Sequence, residues 1–394
     1  MQSGPLPDLN NTRIAFSRFS SAELRDSYFL FRLLGIPWMV EWGSRLAQWA
    51  IRIGLPVQWA IRKTVFHQFC GGETIVGCEP AVAQLAMGGV GTILDYSVEG
   101  TDGDEAFDAC AEEIIRTIHK ARGDDRIPFA VFKVSGVASV ELMERISAQS
   151  QPAKQDIMEW NTVRVRVRRI IQAAADANQA VLVDAEESWI QDAIDGLVHE
   201  LILKYNRVKP LVYQTVQLYR HDRLEYLKKT YAQISAEGCH FAVKLVRGAY
   251  MEKERERAAE RNYPSPIQPD KASTDRDFDE AVRFCLEHIE QMALCCGSHN
   301  EESNLRMINR MRELGIEASN PRVWSAQLKG MSDHISFNLA HAGYRVAKYL
   351  PYGPVQAVLP YLVRRARENT SIAGQMSREL TLLSAERKRR RTDN

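Results

Sequence analysis

The feature that most constrains the fold is an alternation of short apolar runs with helical patterns along most of the chain. The apolar, β-branched runs are 91–97, 129–134, 180–184, 210–216, 241–246, 293–299, 323–328 and 346–350. Helical patterns between them include 104–122, 161–178, 223–237, 276–292, 302–314 and 332–342, and the segment 361–370 is the eighth helix of the series. Apolar strands that alternate with helices are typical of a parallel sheet covered by helices. Eight such units predict a closed (β/α)8 barrel of the TIM type.

Most of these runs reach a polar or reactive residue near the C-terminal end. These residues are Asp95, Lys133, Asp184, Gln214, Lys244, His299, Gln327 and Tyr349. In a closed barrel the C-terminal ends of the strands meet at one mouth, where enzymes of this architecture keep their chemistry. One polar residue in such a place is usually a transition into a loop, but a whole series of them predicts an active site.

The segment 361–370 (YLVRRARENT) carries polar residues where a core-facing helix would carry leucines. Helical spacing places four of them on one stripe: Tyr361, Arg364, Arg365 and Glu368. Adjacent guanidiniums match the two oxygens of a carboxylate, so the stripe indicates a site for a small anion. The alternative is an exposed helix with an ordinary Arg364–Glu368 pair at i, i+4.

Lys133 extends this cationic set to a candidate carboxylate clamp, since it ends the second strand. Arginines facing an apolar cleft need anions, and Glu99, just after the first strand, is a candidate partner from across the mouth. The segment 244–250 (KLVRGAY) adds a glycine after a strand, which permits close approach to a flat or phosphate-bearing ligand. Neither G-x-G-x-x-G after a strand nor a P-loop motif is present, so a Rossmann or P-loop nucleotide site is not predicted.

The region before the barrel has a different character. Residues 21–70 are helical in pattern, and they contain four of the seven tryptophans, with more basic than acidic residues. Tryptophans beside cations are typical of a membrane interface. We interpret them first as core residues of a helical arm that packs on the barrel. The predicted organisation is therefore an arm at 1–88, a catalytic barrel at 89–383 and a disordered basic tail at 384–394.

Composition excludes several classes of protein. The formal net charge is +1, which gives no electrostatic sign of nucleic-acid binding. Seven scattered cysteines without a CxxC pair indicate reduced thiols, with neither a disulfide framework nor a metal site. Residues 1–11 lack the basic and apolar regions of a signal peptide, and no run approaches the ~20 apolar residues of a membrane-spanning helix.

A series of longer motifs resembles the proline dehydrogenase family, in its monofunctional, flavin-dependent form. They are FKVSG (132–136), VDAEE (183–187), VYQTVQLY (212–219), VKLVRGAYMEKE (243–254), YPSPI with KASTD (263–275), GSHN (297–300), AQLKGM (326–331), YLPYGP (349–354) and YLVRRARENTS (361–371). The motifs occur in the family's order, and the arm at 10–34 is also similar. The resemblance therefore covers nearly the whole chain and implies a distorted (β/α)8 barrel that holds FAD.

The resemblance also implies roles for single residues. The proline carboxylate would contact Lys133, Arg364 and Arg365, and the pyrrolidine ring would contact Tyr349, Tyr361, Tyr250 and Leu328. The catalytic centre would include Asp184, which orders the network, and Lys244, which lies beside flavin N5 and is arginine in many relatives. Cofactor contacts would come from Gln214, Val246, Arg247, Gly248, Ser298, His299 and Ala185. The acids that pair with the arginines would be Glu99 and Glu368.

The implied reaction is oxidation of L-proline to Δ1-pyrroline-5-carboxylate by hydride transfer to FAD N5, as the first step of proline catabolism. Electrons would pass to a quinone, and a separate pyrroline-5-carboxylate dehydrogenase would use the product. The implied location is intracellular, either at the cytoplasmic face of a bacterial membrane or at the mitochondrial inner membrane or matrix, with peripheral membrane contact. Three alternatives stay open: hydroxyproline oxidation, a Schiff-base lyase that uses Lys133 or Lys244, and a membrane-bound scaffold without a flavin.

Overall fold

A computed structural model describes residues 6–53, 57–98, 102–149, 151–371 and 375–393. Its strands are β1 Gly91–Tyr96, β2 Phe129–Phe132, β3 Ala180–Val183, β4 Val212–Gln217, β5 Phe241–Val246, β6 Met292–Gly297, β7 Val323–Leu328 and β8 Val346–Tyr352. The helices before β1 are α1 Thr12–Ala15, α2 Ser21–Leu34, α3 Pro37–Arg52, α4 Gln58–Ile61, α5 His67–Phe69 and α6 Glu79–Ala86.

The remaining helices follow the strands, as the sequence pattern predicts. They are α7 Asp104–Ala121, α8 Val140–Ala148, α9 Lys154–Ala177, α10 Ser188–Tyr205, α11 Arg223–Ala236, α12 Met251–Glu260, α13 Lys271–Glu287, α14 Glu301–Glu313, α15 Asp333–His341, α16 Leu359–Ser371 and α17 Gln375–Thr392. Short 3-10 turns lie at Val76–Cys78 and Val134–Gly136, and a π-helical turn lies at Arg62–Phe66.

The strands β1 to β8 form a closed barrel in chain order, which confirms the predicted (β/α)8 fold. The pairs from β2 to β7 and the pair of β1 with β8 are parallel. Their register aligns Thr215 of β4 with Lys244 of β5 and Ile93 of β1 with Tyr349 of β8. Each strand is almost wholly buried because helices cover the outer face of the sheet and side chains fill the interior.

Aromatic rings fill the interior of the barrel near the N-terminal ends of the strands. The ring of Phe129, at the start of β2, lies 5.2 Å from the ring of Tyr213 on β4 and 5.3 Å from that of Trp324 on β7. Because these three strands are not neighbours, their rings can meet only inside the barrel. The aromatic cluster closes this end and leaves the C-terminal ends for chemistry.

Packing divides the described residues into two compact units. One, the central unit, is formed by the described part of 100–326 with Leu6, and the other, the terminal unit, by that of 7–99 and 327–394. The terminal unit has a core of its own, which combines residues from α2, α3 and α16 with others near both ends of the chain. The first and last strands thus group with the N-terminal helices, whereas the sequence pattern divided the chain into an arm at 1–88 and a barrel at 89–383.

The basic end of the chain is helical, so the prediction of a disordered tail was wrong for residues 384–392. Glu386 on α17 is fully buried and accepts hydrogen bonds from Arg389 and Arg390, three and four residues further on. Arg390 also donates to the backbone carbonyls of Phe16 and Phe19 at 2.7 Å each. These pairs turn a basic run into a docked helix.

The interpretation of the N-terminal tryptophans as core residues was also wrong. Trp38, Trp42, Trp49 and Trp59 are all exposed. Among the described residues, no helix has the length and the apolar character that crossing a bilayer requires. The seven cysteines are all buried, and none forms a disulfide.

A buried ion pair of the terminal unit provides a test of how this fold is stabilised. Lys348 of β8 is fully buried and lies 2.6 Å from Asp333 at the start of α15. Its ammonium also donates to the carbonyl of Met331 at 2.7 Å. We expect Lys348→Met to lower the free energy of unfolding by about 3–5 kcal/mol, because it removes the ion-pair partner of a buried carboxylate. Urea unfolding followed by circular dichroism measures this change.

The matched control is Arg283→Met, which removes an exposed cation that pairs with Glu280 and Glu287. Exposed ion pairs contribute little to the free energy of unfolding, so this variant should unfold at nearly the same urea concentration as wild type. The double variant Lys348→Met with Asp333→Asn should recover part of the loss. If Lys348→Met unfolds at the same urea concentration as Arg283→Met, the buried Lys348–Asp333 pair does not stabilise the fold as proposed.

Candidate active site

The centre of the candidate site is Asp184, the residue directly after β3. Lys133, which follows β2, donates to one carboxylate oxygen at 2.8 Å, and Lys244 of β5 donates to the other. The backbone N–H of Asp184 donates to the carbonyl of Phe132 at 2.9 Å and continues the β2–β3 pairing to the strand ends. The structure thus brings together three predicted residues from three strands.

Electrostatics keeps the Asp184 carboxylate ionised although it is buried. Burial raises the pKa of Asp184, but the charges and hydrogen bonds of Lys133 and Lys244 outweigh burial and lower that pKa to about 2. The group of three carries a net positive charge, since two ammonium groups meet one carboxylate. Such a group attracts a small anion to the barrel mouth.

Glu186, two residues further on, is a titratable group that the sequence analysis did not single out. Glu186 is 3% exposed. Its carboxyl accepts one hydrogen bond from the hydroxyl of Ser135 and one, at 2.9 Å, from the backbone N–H of Ser135. Burial, opposed mainly by the charge of Lys133, raises the pKa of Glu186 to about 7. The VDAEE motif contained this residue, but sequence could not show that the second acid is buried.

The ends of β5 and β6 bring together Arg247 and Ser298. The Arg247 guanidinium donates to the Ser298 hydroxyl at 3.0 Å, to the Ser303 hydroxyl at 2.9 Å and to the Asp275 carboxylate at 2.7 Å. Its central carbon lies 4.4 Å from the centre of the Phe278 ring. The cation is therefore held in one orientation next to hydroxyl groups, a donor set that suits phosphate oxygens.

Gly248 fixes the turn after β5. Its φ angle is +137°, and a side-chain carbon at this position would lie 2.5 Å from the ring of Tyr219. The N–H of Tyr219 donates to the carbonyl of Arg247 at 2.7 Å, so the two loops that follow β4 and β5 are joined here. Only glycine combines this backbone conformation with this close packing.

Gln214, a predicted cofactor contact, directs its amide N–H groups toward the helices behind β4. It donates to Asp195 of α10 at 2.9 Å and to the hydroxyl of Tyr226 on α11 at 2.6 Å. Its carbonyl oxygen is buried and has no hydrogen-bond partner among the described residues. A bound group could therefore reach only this oxygen of the side chain.

Thr215, the next residue, lies on the opposite face of the strand, on the side of Tyr213 and the barrel interior. Its hydroxyl is buried without a hydrogen-bond partner in the described part of the chain, and the residue aligns with Lys244. Thr215 is not among the residues predicted from the sequence, although the alternation of side chains along β4 could have indicated it.

Several predicted residues of the central unit lie close in sequence to these groups. Ala185 is buried next to Asp184, Val246 ends β5, and His299 is partly buried directly after Ser298. Tyr250, also partly buried, precedes α12. The structure supplies positions for these residues, and their predicted roles stay predictions.

The terminal unit contains the other predicted substrate contacts. Tyr349 is buried in β8, and the N–H of Lys329 donates to its carbonyl at 2.9 Å. On α16, Tyr361 and Arg365 are buried, and the Arg365 guanidinium lies 5.3 Å from the centre of the Tyr361 ring. This arrangement confirms that the two residues share one stripe of the helix.

The other predicted contacts of the terminal unit are partly buried or lie outside the described residues. Arg364 on α16 and Leu328 at the end of β7 are partly buried. Glu99 and the side chain of Glu368 lie outside the described residues. Their predicted pairing with the arginines therefore stays a prediction.

Comparison with known proteins identifies the family of this chain. A family profile described as "Proline dehydrogenase" matches residues 78–378. The mitochondrial "Proline dehydrogenase 1" of Dictyostelium discoideum is 31% identical over 97% of this chain and 75% of its own length. The "Hydroxyproline dehydrogenase" of Xenopus laevis is 32% identical over 95% of this chain and 88% of its own length.

A solved structure is similar in fold. The proline utilization A (PutA) protein from Bdellovibrio bacteriovorus, inactivated by N-propargylglycine, has a TM-score of 0.72 and 20% identity. The match covers 93% of this chain but only 40% of the PutA chain, so this chain spans two fifths of that protein's length. The profile extends from before β1 to the beginning of α17 and includes each described residue of the candidate site. This chain therefore belongs to the proline dehydrogenase family.

Proposed function

We propose that this chain oxidises L-proline to Δ1-pyrroline-5-carboxylate with FAD as its cofactor. The observation that carries the proposal is the pair of ammonium groups that Asp184 holds at the strand ends, within a member of this family. Proline has a carboxylate that needs cations and a small apolar ring that needs packing. The residues of the candidate site offer both.

The carboxylate of proline is bound by Lys133 with Arg364 and Arg365. Charge-assisted hydrogen bonds from guanidinium and ammonium groups are the strongest that a protein offers a carboxylate. Asp184 acts as a positioning residue, since it fixes the ammonium of Lys133 at 2.8 Å and that of Lys244 on its other oxygen. Fixing the substrate in one orientation is the main contribution that a protein makes to a cofactor-dependent oxidation.

The ring of proline is packed by Tyr349, Tyr361, Tyr250 and Leu328. Tyr349 and Tyr361 are buried, so they can exclude water from the carbon that reacts. Arg365 stacks near the Tyr361 ring, which ties the aromatic wall to the cation on the same helix. A shared helix fixes the distance between the part of the site that binds the carboxylate and the part that packs the ring.

The residues at the ends of β4, β5 and β6 fit FAD. Arg247 and Ser298 supply a cation and a hydroxyl for the pyrophosphate, and the buried oxygens of Gln214 and Thr215 remain for hydrogen bonds to a bound group. The further contacts would come from Ala185, Val246, Gly248 and His299. FAD bound here would supply a hydride acceptor for the ring carbon next to the nitrogen. Lys244 would place a positive charge on this side of the site, and its ammonium is a point donor rather than a fork.

The Schiff-base lyase is disfavoured by the same ion pairs. Both candidate lysines donate to Asp184, and a lysine must be a neutral amine to attack a carbonyl group. An ammonium that donates to a carboxylate is not a nucleophile. The lysines of this site therefore suit binding and electrostatics rather than covalent catalysis.

Hydroxyproline is the second candidate substrate, because a hydroxyproline dehydrogenase is 32% identical over most of this chain. A 4-hydroxyl group needs space at the ring, and the buried side chain of Tyr349 occupies volume in β8. Tyr349 therefore favours proline.

The reduced cofactor must pass its electrons on, and we propose a quinone as the acceptor. The product would be used by a separate pyrroline-5-carboxylate dehydrogenase. The similar proteins include a mitochondrial one and a bacterial one. We accordingly propose mitochondria or the inner side of a bacterial membrane as the location.

The visible spectrum of the purified chain tests the activity. We expect flavin absorption bands that bleach when L-proline is added without oxygen, because hydride transfer reduces the cofactor. A colourless protein that is trapped by borohydride with a carbonyl substrate would indicate the lyase instead. Flavin bands that L-proline leaves unchanged would exclude the proposed reaction.

Arg365→Met tests the carboxylate clamp. The loss of a charge-assisted hydrogen bond of about 1.5–3 kcal/mol should raise the apparent KM for proline about 10- to 150-fold. The flavin content should stay at the wild-type level, because the side chain is assigned to the substrate. Steady-state kinetics and the ratio of flavin to protein measure both effects. The control is Lys388→Met, which removes an exposed cation on α17. A KM that is unchanged in both variants would contradict the role of Arg365 in binding the carboxylate.

Tyr349→Ser tests the choice between the two substrates. We expect the ratio of kcat/KM for trans-4-hydroxy-L-proline to that for L-proline to rise about tenfold, since the smaller side chain admits the hydroxyl group. Competition assays with both substrates measure the ratio. Tyr205→Ser, which removes an exposed hydrogen bond to Gln172 on the outer helices, should leave the ratio unchanged. Equal ratios in both variants would show that Tyr349 does not select the substrate.

A further inference from the structure

Helix α3 has an apolar stripe that faces solvent. The stripe consists of Trp38, Trp42, Leu46, Trp49 and Ile53, with exposed fractions of 65%, 66%, 63%, 55% and 52%. The first four positions follow at i, i+4, i+8 and i+11, so they share one face of the helix, and Ile53 comes directly after its last residue. We call this surface the Trp face. Single exposed apolar residues are ordinary, but a contiguous row of large ones marks an interaction site.

The Trp face is not needed to attach α3 to the terminal unit. Val40, which belongs to a different face of α3, is 7% exposed and belongs to the same buried cluster as Phe31 and Leu34 of α2. The helix is therefore apolar on two sides, and only one of them is used in the core. Exposing the second apolar face to water is unfavourable in free energy, and binding a partner there would remove this cost.

The charge around the Trp face is positive. Residues 37–73 contain four basic residues, Arg45, Arg52, Arg62 and Lys63, and two acids, Glu41 and Glu73, so their formal charge is +2. Arg45 pairs with Glu41 at 2.7 Å and Arg62 with Glu73 at 2.6 Å. On α4 the next tryptophan, Trp59, is 66% exposed, and the ammonium of Lys63 lies 4.8 Å from the centre of its ring. Indole rings next to basic side chains suit the boundary between lipid headgroups and acyl chains.

We propose that the Trp face docks on an anionic lipid bilayer, with α3 lying in the plane of the interface. The helix has 16 residues, or about 24 Å, which is shorter than the ~20 residues that span a membrane. The excess of basic residues is complementary to anionic headgroups. A second copy of this chain would instead bring two positive surfaces together, which opposes self-association through this face. This inference does not depend on the proposed enzymatic activity.

Vesicle binding tests the proposal. We expect the full chain to sediment with vesicles of phosphatidylcholine and phosphatidylglycerol, and less with phosphatidylcholine alone. Brominated acyl chains should quench its tryptophan fluorescence. The variant Trp38→Ser, Trp42→Ser, Trp49→Ser should bind about tenfold more weakly and lose the quenching, because the buried apolar area is lost. Its proline-dependent reduction of a water-soluble dye should equal that of wild type.

The matched control replaces three exposed apolar residues elsewhere: Met87→Ser, Met158→Ser, Val208→Ser. This variant should bind vesicles like wild type. The proposal is overturned if the wild-type chain does not sediment with anionic vesicles, or if the tryptophan variant binds as tightly as the control. It is also overturned if light scattering without lipid shows a dimer that the tryptophan substitutions dissociate while vesicle binding is absent.

Discussion

The contact of Asp184 with two lysines is the interaction on which the candidate site depends. It joins residues that follow or lie in β2, β3 and β5, at the C-terminal ends of the strands. Burying three charges costs several kcal/mol for each ion, so the arrangement is stable only because each ammonium has the carboxylate within hydrogen-bond distance. The barrel pays this desolvation cost to present fixed cations at its mouth.

A second set of polar contacts behind the strands keeps these cations in place. Glu186 accepts two hydrogen bonds from Ser135 and so joins the loop after β3 to the loop after β2. Gln214 joins β4 to α10 through Asp195, which also pairs with Arg223 at 2.5 Å. Buried networks of this kind rigidify a structure when their members are satisfied. Rigidity matters here because a cofactor supplies the chemistry and the protein supplies position.

The sequence was sufficient to predict the barrel and the polar residues near the ends of its strands, but it did not predict that Lys133 and Lys244 pair with Asp184. It could not predict which face of a strand carries the function, since a shift by one residue exchanges the two faces. Gln214 and Thr215 show this limit: the predicted residue donates to the outer helices, and its neighbour belongs to the interior. The basic end of the chain shows a second limit of prediction from sequence, because its helix is docked through contacts with the distant Phe16 and Phe19.

The terminal unit contains both the helix α16, with its candidate substrate contacts, and the exposed Trp face of α3. Tyr361 and Ala366 of α16 belong to the same buried cluster as Val40 of α3 and Phe31 of α2. The helix that carries the proposed arginine clamp and the helix that carries the Trp face are therefore packed into one core. Protein interiors are close-packed and transmit displacement. A bilayer bound at the Trp face would thus hold the clamp-bearing unit at the membrane surface, where an apolar electron acceptor such as a quinone dissolves.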